Sequence, residues 1–261
     1  MTPGSDPRLF HNQTFAQGDT TMSEHNSICL DYGPFLRGSG GPPAAGSPNG
    51  TPFVKRDTSS AGSPTILGAD GGGWACTMDN TSEAQIIGFD MNDELAFDID
   101  DLQYIEWLAA LDATPGTAVS MVMGLAGAYN AAFDSVAQNC WFKYVAADDT
   151  AFVETDDGTN DNDDKSTGID QADGVFKRYR IDFATGVQTR QPQLASLGGK
   201  SNVIFQMSDA NGHLTRVCST TLFDMSNYSG GLQFYAQVQK ASGTATGTLT
   251  IKDLKVGLKS Y

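Results

Sequence analysis

From residue 71 onward, apolar and polar positions alternate in short runs broken by turn residues, the period expected of half-buried strands. Runs at 74–78 and 84–89 read as a first ladder, and 95–99 places Leu95, Phe97 and Ile99 on one side. The run 104–111 is bulky and ends before the turn residues Thr114, Pro115 and Gly116, so a buried strand fits it better than a helix. Further runs follow at 119–126, 141–145, 151–154, 176–183, 203–207, 214–217, 232–239 and 247–258. Asn211 and Gly212 supply the positive φ of a hairpin between two of them. In the last run the alternation slips at Lys252 and Asp253, which predicts a bulge. Residues 126–137 read as a short helix or helical turn. About ten to twelve strands at this spacing predict an all-β fold, an antiparallel two-sheet jelly-roll sandwich, rather than parallel βαβ units.

Residues 1–70 show neither period. The stretch 38–50 is Gly, Pro and Ser linker composition, and around it lie Phe10, Phe15, Ile28, Leu30, Tyr32, Phe35 and Leu36 without regular spacing. The segment reads as an extended, irregular arm ahead of a sandwich domain at 71–261. It is either a disordered tail or an arm ordered by lying on a neighbouring subunit.

Charge and composition narrow the function classes. A net charge of -15 disfavours nucleic acid and anionic membranes, both of which repel it. With 29 Gly and 18% charged residues, the composition suits strands and turns. No apolar run approaches the roughly 20 residues of a membrane span. The N-terminus lacks the basic and apolar regions of a signal peptide, so synthesis in a cytoplasm is expected. Cys29, Cys76, Cys140 and Cys218 are scattered, and Cys140 and Cys218 read as small buried hydrophobes.

The densest polar cluster spans 154–164 and reads as a solvated surface loop. Its oxygen density suits calcium as the alternative, with Asp156, Asp157, Asp161 and Asp163 as the ligands if a metal is bound; no other cofactor is implied. Glu154 and Asp156 share a strand face, as a glycosidase pair would, but no aromatic platform is expected beside them. No G-x-S-x-G is present, and His213 falls on a hairpin turn. Lys177, Arg178 and Arg180 alternate with aromatic residues and read as a strand with its polar side to water. Trp74, Trp107 and Trp141 read as core. No catalytic residue is expected, and the chain reads as non-enzymatic.

The segment 96–258 resembles a group of tailed-bacteriophage virion proteins with a concanavalin-A-like jelly roll. The resembling phrases are FDIDDLQYIEW from Phe97, MGLAGAYN from Met123, VETDDG from Val153, KRYRIDF from Lys177, GGKSNV from Gly198 and LQFYAQVQK from Leu232. The resemblance implies a virion structural protein on the capsid surface, a decoration or cement protein whose partners are the major capsid protein and copies of itself. The alternative it leaves open is a lectin-like module with a glycan ligand.

Overall fold

The computed structural model describes residues 27–34, 36, 42, 52–69, 72–112, 118–146, 148–183 and 199–259. Among them, strands form two antiparallel eight-stranded sheets packed face to face. Sheet I runs in the order β14 (Leu214–Arg216), β13 (Ile204–Ser208), β12 (Lys177–Asp182), β7 (Leu102–Asp112), β16 (Thr248–Lys259), β4 (Trp74–Thr77) and β3 (Thr65–Gly68), with β1 (Ser27–Asp31) also on β16. Sheet II runs β11 (Asp161–Asp170), β10 (Thr150–Asp156), β9 (Asn139–Tyr144), β8 (Val119–Ala126), β15 (Gly231–Lys240), β5 (Gln85–Asp90) and β2 (Val54–Asp57), with β6 (Phe97–Asp98) on β15. The all-β, two-sheet sandwich is the architecture that the strand periodicity predicts.

Alternation makes the core. On β7, Ile105, Trp107, Ala109 and Leu111 are buried, while Tyr104, Glu106 and Leu108, alternating with them, are partly exposed. Trp107 stacks on Tyr179 at 5.8 Å between centroids and meets Phe142 and Phe234 edge-on at 6.0 and 5.7 Å. Burying such rings contributes about 25 cal/mol per Å² of apolar area, plus the edge-to-face preference of each pair. The Tyr144 and Tyr179 hydroxyls meet at 2.7 Å in the interior, so the polar tip of each ring is satisfied across the two sheets. The slip in the last run is a real bulge: the β16–β7 register shifts between Lys252 and Lys255, and Asp253 sits at φ 54°. Gly212, at φ 82°, closes the β13–β14 hairpin, where the Asp209 carboxylate accepts the Asn211 and His213 N–H groups.

Three elements differ from expectation. The segment 1–70, expected to be irregular, contributes β1, β2 and β3, paired with β16, β5 and β4 respectively. Among its described residues, Leu36 and Phe53 are fully buried, Leu30 and Tyr32 pack against the same core cluster, and Tyr32 meets Phe53 and Phe97 at 5.9 and 6.0 Å. That burial offsets part of the cost of ordering these described stretches. The linker 38–50, apart from Pro42, and the aromatic residues Phe10, Phe15 and Phe35 lie outside the described residues, as does the turn 114–116. The acidic loop 154–164 is instead the β10–β11 hairpin. Strand β11 is an edge strand with no fully buried residue, so its ladder leaves no apolar period in the sequence. In 126–137 the helix shrinks to one 3-10 turn, Phe133–Ser135.

Candidate binding face

The outward face of sheet II is not an ordinary solvated surface. Register places side chains on it in cross-strand rows. One row runs Asp90, Tyr235, Gly124, Trp141 and Glu154 across β5, β15, β8, β9 and β10. Its neighbour runs Arg56, Gly88, Gln237, Val122 and Lys143. The β8–β9 connection, 127–138, folds over the middle of these rows. Phe133 and Val136 from that lid, with Val122, Ala126, Trp141 and Tyr235 from the sheet, form a second buried apolar cluster, separate from the core between the sheets.

Three rings form a tilted series here: Tyr129 to Tyr235 at 6.1 Å and Tyr235 to Trp141 at 5.9 Å, with Phe133 edge-on to Trp141 at 6.1 Å. Gly124 lies in the row between Tyr235 and Trp141. It sits at φ 153°, and a Cβ there would meet the Cys140 carbonyl oxygen at 2.6 Å and the Trp141 Cα at 2.7 Å, so only glycine fits. The lid is tied down by polar contacts at both ends. Tyr129 N–H donates to Asp93 (2.6 Å), Tyr235 hydroxyl to the Asn130 carbonyl (3.0 Å), and Gln237 Nε2 to the Ala131 carbonyl (3.0 Å). At the far end Asp134 takes Lys143 Nζ at 3.0 Å.

Two charged groups flank the rings. Arg56 binds Asp90 through Nε (2.6 Å) and Nη2 (3.0 Å), reaches Asp93 at 3.2 Å, and places its guanidinium 4.3 Å from the centre of the Tyr129 ring. On the other side Lys143 Nζ lies 3.0 Å from Asp134, 2.9 Å from Asp164 and 3.4 Å from Glu154. Burial pulls the Lys143 ammonium down, but the bonds to Asp164 and Asp134 and the charge of Glu154 outweigh it, holding the group above its usual range. Burial raises the Glu154 carboxyl above its ordinary value, a shift that Lys143, Trp141 and Asn139 oppose. Asn139 donates to Glu154 at 2.9 Å, while its own Oδ1 is buried without a donor.

The expected calcium ligands fall at the tip of the adjacent hairpin. Burial, and then the charges of Asp163 and Asp156, raise the Asp161 carboxyl above its ordinary value. Asp157 is turned into the structure. Its carboxylate accepts N–H groups of Thr159 (2.9 Å), Asn160 (2.6 Å) and Asn227 (3.0 Å), and the Asn160 side chain (3.1 Å). These bonds, working against a burial that raises it, hold the acid below the usual carboxylate range. Among the described residues no three His, Cys, Asp or Glu side chains are grouped as a metal site.

Other candidates separate. Arg178 and Arg180 pair with Glu106 (3.2 and 3.4 Å), and Arg180 with Asp182 (2.9 Å), on the outward face of sheet I. His213 is 79% exposed on its turn. Cys140 is buried, but Cys218 is only partly so, at φ 49°. Trp74 and Trp107 belong to the core between the sheets, whereas Trp141 is buried on the other side of sheet II, cross-strand from Glu154. That ring is fully buried, so it stands beside the carboxylate without offering a face to solvent. Sequence reading missed Arg56, Asp90, Asp93, Tyr129, Lys143, Tyr235 and Gln237. A signal existed: within LQFYAQVQ, Gln233, Tyr235, Gln237 and Gln239 recur at every second position, the mark of a polar face beneath an apolar run.

No protein-family model matches the sequence, and neither does any curated protein. The fold is shared with solved structures at low identity. A protein of unknown function from Shewanella oneidensis MR-1 aligns at TM-score 0.53 and 10% identity, over 89% of this chain and 87% of that one. The lectin UEA-II complexed with galactose aligns at 0.52 and 11%, over 82% and 95%. A family 7 alginate lyase, A1-II′, in complex with a product aligns at 0.48 and 9%, over 77% and 85%. The fold is thus the jelly-roll sandwich that the lectin shares. The non-enzymatic expectation is corrected: a fold that hosts many unrelated functions is no ground for denying the chain an activity.

Proposed function

We propose that the chain is a glycan-binding domain whose ligand docks on the outward face of sheet II, along the edge of the 127–138 lid. The observation that carries this reading is the half-buried Tyr129 ring, backed by the fully buried Tyr235 and Trp141 behind it and set among amide and charged side chains. Aromatic faces take the apolar faces of sugar rings, and amides and carboxylates take hydroxyls, so this mixture is what a pyranose requires. Half-buried Tyr129 and Gln239, with the exposed carboxylates Asp93, Asp134 and Asp164 around them, are the members of the face that a ligand meets first. The fold shared with a galactose-complexed lectin supports the glycan reading. The capsid-decoration reading draws no comparable support from the fold or the comparisons. A glycan array followed by calorimetry tests the proposal. A binder should emerge, and Tyr129→Ala should weaken it about tenfold through loss of one stacked ring. Absence of any binder, or full affinity in Tyr129→Ala, would overturn it.

A further inference from the structure

The charges of this face are unevenly shared. Its two ion-paired cations, Arg56 and Lys143, are held by five carboxyl groups: Asp90 and Asp93 on the first, Asp134, Glu154 and Asp164 on the second. Exposure separates the two signs further. The Arg56 and Lys143 side chains are only 17% and 10% exposed, whereas those of Asp93, Asp134 and Asp164 are 42%, 62% and 47% exposed. An approaching ligand therefore meets carboxylates, and each cation is already bound to acids of its own chain. A uronate or sulfate would have to displace one of those acids to find a counter-charge, while crossing the field of a chain of net charge -15. Hydroxyl-rich sugars carry no such cost, and an amine on a sugar gains from Asp134 and Asp164.

We infer that the glycan taken on this face is neutral or amine-bearing and is not a uronate or sulfated polymer. The inference rests on the glycan-binding reading and names its ligand class. It sets this chain apart from an alginate-directed protein despite the shared fold. The test uses the full chain on an array of neutral, amine-bearing, uronate and sulfated glycans at low salt. The best binders should be neutral or amine-bearing. By calorimetry, an alginate hexamer should bind at least about tenfold more weakly than the best of them. That gap should narrow as added salt screens the exposed carboxylates. Asp134→Asn combined with Asp164→Asn leaves Lys143 with Glu154 as its remaining carboxylate partner and should narrow the gap too. A uronate or sulfated glycan as the best binder, or a gap indifferent to both salt and the double substitution, would overturn the charge inference while leaving glycan binding intact. Absence of every glycan class from the bound set would overturn the glycan-binding reading itself, and this inference with it.

Discussion

The two sheets of the sandwich treat their outward faces in opposite ways. Sheet I leaves its face to water: Arg178, Arg180, Glu106 and Asp182 form a surface ion-pair lattice, Arg180 lies over the Tyr104 ring at 3.9 Å, and Lys252 lies over Phe176 at 3.6 Å. Sheet II is buried on both sides at its centre, where β9 has no exposed residue and β15 is nearly as closed. A strand roofed on both faces stops alternating in burial, and the side chains beneath the roof lose water but keep their polar partners. The cover gives sheet II a second buried apolar cluster, where sheet I carries only surface ion pairs.

Substitutions should separate the two faces, and the largest effect belongs to the roofed one. Trp141→Ala removes the largest ring of the second cluster and should cost about 3–5 kcal/mol in denaturant unfolding. It should also open 127–138 to proteolysis. Gly124→Ala forces a Cβ against the β9 backbone and should cost about 1–3 kcal/mol by the same measurement. Asp157→Ala at the hairpin tip leaves several donors without their acceptor and should cost about 1–3 kcal/mol.

The Asp157 acid also sets a pH dependence. Its folded value lies below the ordinary 3.8, so its contribution is complete above that value and is lost as pH falls through the lower folded one. Melting temperatures measured from pH 6 downward should therefore fall less steeply in Asp157→Asn than in the wild type. On the open face, Arg178→Ala should change stability by less than about 1 kcal/mol, as exposed ion pairs do. A cost there equal to that of Trp141→Ala would erase the distinction between the faces.

Much of the fold was legible because most strands of the sandwich repeat at the strand period and end at turn residues. The bulge at Lys252 and Asp253 and the turn at Asn211 and Gly212 were written in local chemistry and came out where the pattern put them. Strand β11 was not legible, because an edge ladder can be made entirely of solvated residues. Strands β1, β2 and β3 were not legible either: at four or five residues each, they owe their order to long-range pairing rather than to local period. The binding face was half-visible. Glu154 stood out as a carboxylate, but its partners Lys143 and Asn139 and its cross-strand neighbour Trp141 come from an adjacent strand, and a lid that closes over them is a property of the folded connection.

The most direct measurement uses the chain's three tryptophans. Trp74 and Trp107 lie between the sheets, and Trp141 lies under the lid on the outward face of sheet II. In a nitrogen-15 correlation spectrum their three indole N–H signals report the two regions separately. Titration with the best-binding neutral oligosaccharide should shift the Trp141 indole progressively and leave those of Trp74 and Trp107 in place. A saturating ligand that leaves the Trp141 signal unmoved would contradict the assignment of binding to this face.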